Sequence, residues 1–403
     1  MRLPTSGLPR SIEASGMSQN LSVRSRNSQM TDWTDFDRLA MHVALNQASR
    51  GLYSTGENPR VGAVVAKQDQ ILAEGFHQAP GCAHAEIEAL AQLAHADAEG
   101  ATCYVTLEPC SHTGKTGPCT EALISAGVTR VVAAMEDPNP EVSGRGISRL
   151  KAAGIQVEVG LLESEARALN AGFIKRMTEG RPLVWLKSAA SLDGRTAMAD
   201  GESKWITGPE ARMDVQSLRA RVGAVVTGIE TIRVDDPRLT VRWSETHIQL
   251  PPKATARQPL RVILDTHGRL PASSALFDEP GEILWVTGAP KAHPQLDRGR
   301  LLSWVAPTAD DGRIDLHALC HELAHRGINE LLVEAGATLA GAWIRARLVD
   351  HGVLYMAPKL LGPRGLSLYD VDPAQLADAP ALFISDVRKI GADLRVDWTL
   401  GVN

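Results

Sequence analysis

From residue 36 onward the apolar positions of this chain fall into two alternating rhythms. Phe36, Leu39, Ala40, Val43 and Ala44 recur at helical spacing behind a Thr31-Asp32 cap, which predicts an opening helix. Residues 61–66 and 71–75 read as a hairpin, 84–96 as a helix, 101–107 as a buried strand and 119–126 as a second helix. Strand 128–135, helix 146–153, strand 156–160 and helix 163–175 continue an α/β alternation. Met177-Thr178-Glu179-Gly180-Arg181-Pro182 is then a polar Gly/Pro break of the kind that separates domains. A second pattern follows, with strands at 183–189, 223–227, 260–265, 282–286, 329–334 and 351–356 and helices at 208–220, 316–325 and 338–347. The predicted class is α/β in two domains, residues 31–176 and 182–403, behind a tail of residues 1–30.

Composition narrows the class of protein. At 403 residues and 44% hydrophobic the chain can bury more than one core. A net charge of -5 argues against a nucleic-acid binder, and no apolar run reaches membrane-spanning length. Five cysteines, an odd number, make no disulfide framework and suit a reducing cytoplasm. Residues 1–30 hold seven serines, four arginines and one acid without a hydrophobic signal core. They read either as a dispensable, disordered tail or as a transit segment, with Met30 an alternative start.

The chemistry concentrates between Gly81 and Cys119. His84-Ala85-Glu86 is followed by Glu108-Pro109-Cys110, eight residues, and Cys119. One His and two Cys are one ligand short of a closed structural zinc and leave a position for water. Glu86, two residues past His84, is the acid that carries protons in the His-x-Glu plus Pro-Cys deaminase signature. A structural zinc remains the alternative, and it would need a fourth protein ligand. Cys82 stands close enough to be considered, but it precedes the helix start and reads as a small core thiol, as do Cys103 and Cys320. The signature has two residues between its cysteines where this chain has eight. The longer loop brings His112 and Lys115 to the mouth of the site, where an ammonium suits a phosphate, unless the loop is simply solvated.

No Gly-x-Gly-x-x-Gly follows any predicted strand, so a Rossmann fingerprint is absent. Strand 331–334 nevertheless runs into Ala335-Gly336-Ala337-Thr338-Leu339-Ala340-Gly341, where small residues would let backbone N–H groups approach an anion. A tight turn made for packing reads equally well there.

Taken together, His84-Ala85-Glu86, Pro109-Cys110-Ser111-His112, Lys115 and Pro118-Cys119 resemble the deaminase half of the bifunctional riboflavin-biosynthesis deaminase/reductase family. Asn58-Pro59-Arg60 upstream and Asp137-Pro138-Asn139-Pro140 downstream resemble it too, while Gly117 stands where the family more often has a second proline. The reductase half is resembled by Leu186 to Arg195, Gly201 to Thr207, Asp235 to Arg242, Glu334 to Ala342 and Ala357-Pro358-Lys359. The resemblance implies a cytidine-deaminase-like mixed sheet followed by a dihydrofolate-reductase-like domain, with Zn2+ and NADPH as cofactors. By position it implies zinc on His84, Cys110 and Cys119, with Glu86 catalytic and Asn58, His112 and Lys115 on the first substrate. It puts NADPH on Ala189, Trp205, Thr231, Asp235, Thr266, Gly336, Ala337, Thr338, Leu339, Ala340, Gly341 and Ala342. It puts the second substrate on Ser203, Arg219, Leu239, Arg242 and Glu334. Guanidinium forks at Arg219 and Arg242 suit a sugar phosphate, and Trp205 could pack on a ring. The implied reactions are hydrolysis of the 2-amino group of a diaminopyrimidine ribosylamino phosphate, then hydride transfer to the ribose C1′. A nucleoside or tRNA deaminase fused to an unrelated domain is the rival reading. The expected enzyme is a cytoplasmic homo-oligomer acting on a small phosphorylated pyrimidine, without nucleic acid or membrane.

Overall fold

The computed structural model describes residues 32–111, 117–140 and 142–401. The tail read at residues 1–30, together with His112 and Lys115, lies outside them. From Thr34 onward the chain forms one compact unit, and its strands build two sheets.

The first sheet takes shape around α1 (Asp35–Ser49). Its cap is Thr34 rather than the predicted Thr31-Asp32, because the Thr34 hydroxyl accepts the Asp37 N–H while the Asp37 carboxylate accepts the Thr34 N–H. There follow β1 (Gly62–Lys67), β2 (Gln70–Phe76), α2 (Ala85–Leu90), α3 (His95–Ala98), β3 (Thr102–Val105), α4 (Cys119–Ser125), β4 (Arg130–Ala133), α5 (Arg145–Ala152) and β5 (Gln156–Val159). The order is β2-β1-β3-β4-β5, antiparallel around β1 and parallel from β3 to β5. Two glycines set the helices against this sheet. A Cβ on Gly62 would strike the α1 backbone at Ala44 and Ala48, and one on Gly75 would strike α2 at Ala85 and Ala89. Close approach at Gly75 thus fixes the height of α2, which carries Glu86.

Two helices differ from the sequence reading. The helix predicted over 84–96 stops at Leu90, where the Gln92 side-chain amide donates to the carbonyls of Glu74 and Glu88 and a turn lays Leu93 against Val65 and Ala73. The one predicted over 163–175 is broken at Asn170 into α6 (Glu163–Leu169) and α7 (Ala171–Glu179). The Asn170 side chain there makes two hydrogen bonds of 2.8 Å with the Arg60 backbone, one accepted and one donated. Helix α7 also runs through most of the supposed break, ending only where Gly180 takes φ +66°. The connection is therefore Gly180-Arg181-Pro182.

The second sheet comprises β6 (Leu183–Ser191), β7 (Ala224–Gly228), β8 (Leu260–Leu264), β9 (Ile283–Thr287), β10 (Leu301–Val305), β11 (Glu330–Glu334), β12 (His351–Ala357), β13 (Leu382–Ile390) and β14 (Asp393–Leu400). Its order is β10-β9-β8-β7-β11-β6-β12-β14-β13, parallel through β12 and closed by an antiparallel hairpin. Helices α8 (Pro209–Arg221) and α9 (Ile229–Asp235) pack on one face and α10 (Leu316–His325) and α11 (Ala337–Arg345) on the other. Alternate residues of single strands enter opposite cores: Val184 and Leu186 one, Leu183 and Trp185 the other. The sequence reading lacked α9, β10, β13 and β14. Strands β10 and β13 lie at the two edges of the sheet and carry exposed side chains, so neither shows the buried-strand pattern. Among the described residues no helix is long and apolar enough to cross a membrane.

Candidate active sites

His84 caps the N-terminus of α2 in extended conformation, and Cys119 opens α4 immediately after Pro118. Both helix starts point at Cys110, at the end of the segment leaving β3. The His84 Nδ1 lies 3.5 Å from Cys110 Sγ and 3.2 Å from Cys119 Sγ. A tetrahedral zinc with Zn–S of about 2.3 Å and Zn–N of about 2.0–2.1 Å needs neighbouring donors about 3.5 Å apart, so the set fits that ion. It is the one convergent group of metal-ligating side chains among the described residues. Cys82 is half-buried and stands outside it. Cys103 is buried in β3 and Cys320 in α10, and burial raises both thiols, Cys320 to about 12. Cys110 behaves oppositely. The Cys119 thiol and the His84 ring hold its thiol well below the usual range, the form a metal takes.

Glu86 sits in the first turn of α2 with its carboxyl buried beside Cys119, and burial pushes it up to about 7. Asn58, on the loop before β1, lies with its amide nitrogen 3.0 Å from His77 Nε2, while His77 Nδ1 lies 3.2 Å from the Ala83 carbonyl beside His84. Sequence reasoning passed over two groups here. His77 ties Asn58 to the ligand loop. Glu108 accepts four backbone N–H groups, from Asp137, Gly144, Gly146 and Ile147, and so anchors the loop that follows β4. An isolated His and a Glu beside Pro-Cys carry no periodic signal that would have singled them out.

In the second half a cavity of about 610 Å3 opens at the C-terminal ends of β7, β8 and β11, the usual place for a ligand in a parallel sheet. Thr231, Thr266, Gly336, Ala337, Thr338, Leu339 and Ala342 line it. Gly336 caps α11, and nothing lies within 4 Å of where its Cβ would be, so the helix N-terminus faces open space. Ala340 is buried beneath this loop and Gly341 presses on the Asp370 backbone, so these two support the loop instead of lining the cavity. Ala189, Trp205 and Asp235 do not line it either. Trp205 is 65% exposed under the Arg212 guanidinium, and the Asp235 carbonyl accepts from Lys204. Arg269, Arg313 and Arg345, which sequence reasoning did not select, stand on the cavity wall together with Glu230, Asp311 and Asp315, so the wall is of mixed charge, with Arg269 paired to Glu230 at 2.6 Å.

Arg219 and Glu334 meet in a two-pronged ion pair of 2.6 and 3.0 Å at the end of β11, with Lys187 3.9 Å from the same carboxylate. Burial would raise Glu334, but Arg219 outweighs it and holds the carboxyl below its ordinary range. The Arg219 guanidinium also donates to the Thr240 carbonyl, next to Leu239, whose φ of +56° is rare for a bulky residue. Arg242 is half exposed and paired with Glu245 at 2.8 Å. Ser203 is half-buried in the loop before Trp205.

Residues 34–135 match the family model for the cytidine and deoxycytidylate deaminase zinc-binding region, and residues 182–395 match the RibD C-terminal domain. Over 362 residues the chain is 48% identical to riboflavin biosynthesis protein RibD of Escherichia coli K12, covering 89% of this chain and 98% of that protein. This chain belongs to the RibD family. The Haemophilus influenzae RibD is 45% identical over 374 residues, 92% of this chain and 99% of that one. An Acinetobacter baumannii RibD structure superposes with TM-score 0.83 at 43% identity, covering 91% of this chain and 99% of its own. The Thermotoga maritima diaminohydroxyphosphoribosylaminopyrimidine deaminase/5-amino-6-(5-phosphoribosylamino)uracil reductase superposes with TM-score 0.78 at 32% identity, covering 91% and 99%. Like other RibD proteins, the chain is a bifunctional enzyme of riboflavin biosynthesis, a deaminase followed by a reductase, and the reading as a nucleoside or tRNA deaminase fused to an unrelated domain falls away.

Proposed function

We propose that residues 31–176 deaminate 2,5-diamino-6-(5-phosphoribosylamino)pyrimidin-4-one and that residues 182–403 reduce the product's ribosyl group to ribityl with NADPH. The convergence of His84, Cys110 and Cys119 beside a buried Glu86 carries the first half of this reading. Zinc held by those three side chains supplies Lewis acidity toward water. Glu86 takes the proton from the attacking water and returns it to the departing amino group, so that water and a C–NH2 become C=O and ammonia. Asn58 is assigned to the substrate, with His112 and Lys115 on its phosphate.

For the second half, NADPH supplies the hydride. Gly336 and Ala337 at the start of α11 would face its pyrophosphate, and Thr231 and Thr266 flank the same cavity. Ala189, Trp205 and Asp235, outside the cavity, would meet the nicotinamide end of the cofactor. Ser203, Leu239 and Arg242 would hold the ribosylamino phosphate, with Arg219 braced by Glu334. Incubation with the diaminopyrimidine substrate should release ammonia without NADPH, and adding NADPH should then bleach its absorbance in proportion. Cofactor oxidation with no prior ammonia release would refute the order.

Free thiols throughout the described residues suit a cytoplasmic enzyme. Strand β13 presents Phe383 at 65% and Ile384 at 63% exposure on an open sheet edge, which a second copy of this chain would cover. Sedimentation of Phe383→Asp is expected to show monomers where the wild type is oligomeric, and a wild-type monomer would refute the assembly.

A further inference from the structure

Behind the zinc site, the loop that carries Asn58 is supported from the other half of the chain. The Asn329 side-chain amide donates to the carbonyls of Gly56 at 3.2 Å and Glu57 at 3.1 Å. Its side-chain oxygen accepts from Arg176 Nε at 2.6 Å, and the same Arg176 guanidinium donates to the Glu57 carbonyl at 3.0 Å. On the far side of Asn58, Arg60 reaches Glu330 at 2.6 Å with both side chains buried, and it donates to the Leu169 carbonyl as well. Glu330 does not stand alone. Its second oxygen accepts from Arg221 at 2.7 Å and from the Trp185 indole at 3.0 Å, both in the second sheet's framework. Burial alone would raise the Glu330 carboxyl, yet Arg60 and Arg221 hold it down at about 2, so the anchor stays charged.

The Asn58 loop is thus clamped two residues before Asn58 and two residues after it, by neighbouring residues at the foot of β11. Backbone amides and carbonyls held this way lose little freedom when the substrate arrives. The loop lies before an inner strand, and its own half supports it through Asn170, the Leu169 carbonyl, Arg176 and the His77 contact; Arg176 is itself held by the Asn329 side chain.

We infer that Asn329 and Glu330 of the reductase half are positioning residues of the deaminase, setting the loop 56–60 and through it Asn58 for substrate. The inference rests on the reading of Asn58 as a substrate contact. It also gives the fusion of the two enzymes a structural reason. The deaminase half separated at Gly180 would lose both clamps, and the reductase half would keep a buried Glu330 with one of its two guanidinium partners missing.

The test uses the full chain and the diaminopyrimidine substrate, with ammonia release as readout. Asn329→Ala removes its two bonds ahead of Asn58 and frees the Arg176 guanidinium that shares the Glu57 carbonyl, so KM for deamination should rise roughly tenfold, in line with two lost hydrogen bonds of partial effect, while kcat and zinc content stay unchanged. Reduction of supplied deaminated substrate should not change. Asn58→Ala should raise the same KM, and the Asn329 effect should vanish in the double variant if it acts through Asn58. Glu330→Gln, which keeps the shape of the anchor, should move KM in the same direction. A raised KM in Asn58→Ala with an unchanged KM in Asn329→Ala overturns the inference alone. An unchanged KM in Asn58→Ala removes the substrate role of Asn58 and the inference with it. A parallel fall of deamination and reduction in Asn329→Ala would mark general destabilisation and also overturn it.

Discussion

Glu86→Gln is expected to lower deamination by about 10²- to 10⁴-fold, the usual loss when a general acid/base is removed, with zinc still bound. Gln keeps the size of Glu and can still accept a hydrogen bond in the buried space beside Cys119, so α2 and the His84 cap need not move. It cannot carry a proton between water and the leaving amine. Metal analysis separates this from a damaged site, since Cys119→Ser should lose zinc and activity together, whereas Cys82→Ser should keep both. Reduction of supplied deaminated substrate with NADPH should continue in Glu86→Gln, because the second cavity lies at the ends of β7, β8 and β11 in the other sheet. Deamination near the wild-type rate in Glu86→Gln would end the role assigned to that carboxylate.

The second large effect is expected from Glu334→Ala. Among the described residues that carboxylate is the only acid in contact with the Arg219 fork, and Lys187 stands 3.9 Å from it. Both Arg219 and Glu334 have side chains only 11% exposed. Removing the acid strands a guanidinium in a poorly hydrated place, which costs about 3–5 kcal/mol and should lower the thermal midpoint by roughly 10 °C. Reduction should fail at the same time, because Arg219 also holds the Thr240 carbonyl beside Leu239. Glu334→Gln, which keeps the hydrogen-bonding shape, should lose less stability. A midpoint within about 2 °C of wild type for Glu334→Ala would show that the pair is solvated and weak.

Much of this molecule was determined locally, by residue type and spacing. The helix over residues 316–325 and the strands of both parallel cores appear where side chains repeat at their proper periods, since those periods decide which face can be buried. His84, Glu86, Cys110 and Cys119 were legible because the chemistry of a catalytic zinc needs those residue types in that order. The small residues after β11 left a ligand loop and a packing turn equally open, and the resemblance, not the run itself, singled the loop out.

What only the tertiary structure decided depends on partners far away in the chain. Asn170 splits a continuous helical pattern because Arg60, 110 residues earlier, offers a backbone to pair with. Strand β13 forms on β14 with its apolar side chains outward, which no burial pattern could announce. Ala340 and Gly341 leave the cavity wall because helical geometry turns successive residues by about 100°, so a contiguous stretch cannot face one ligand. The seam between the halves looked like a break because its residues are polar. Its buried partners, Asn329 and Glu330, lie some 150 residues downstream at the start of a strand whose local pattern records only that it is buried.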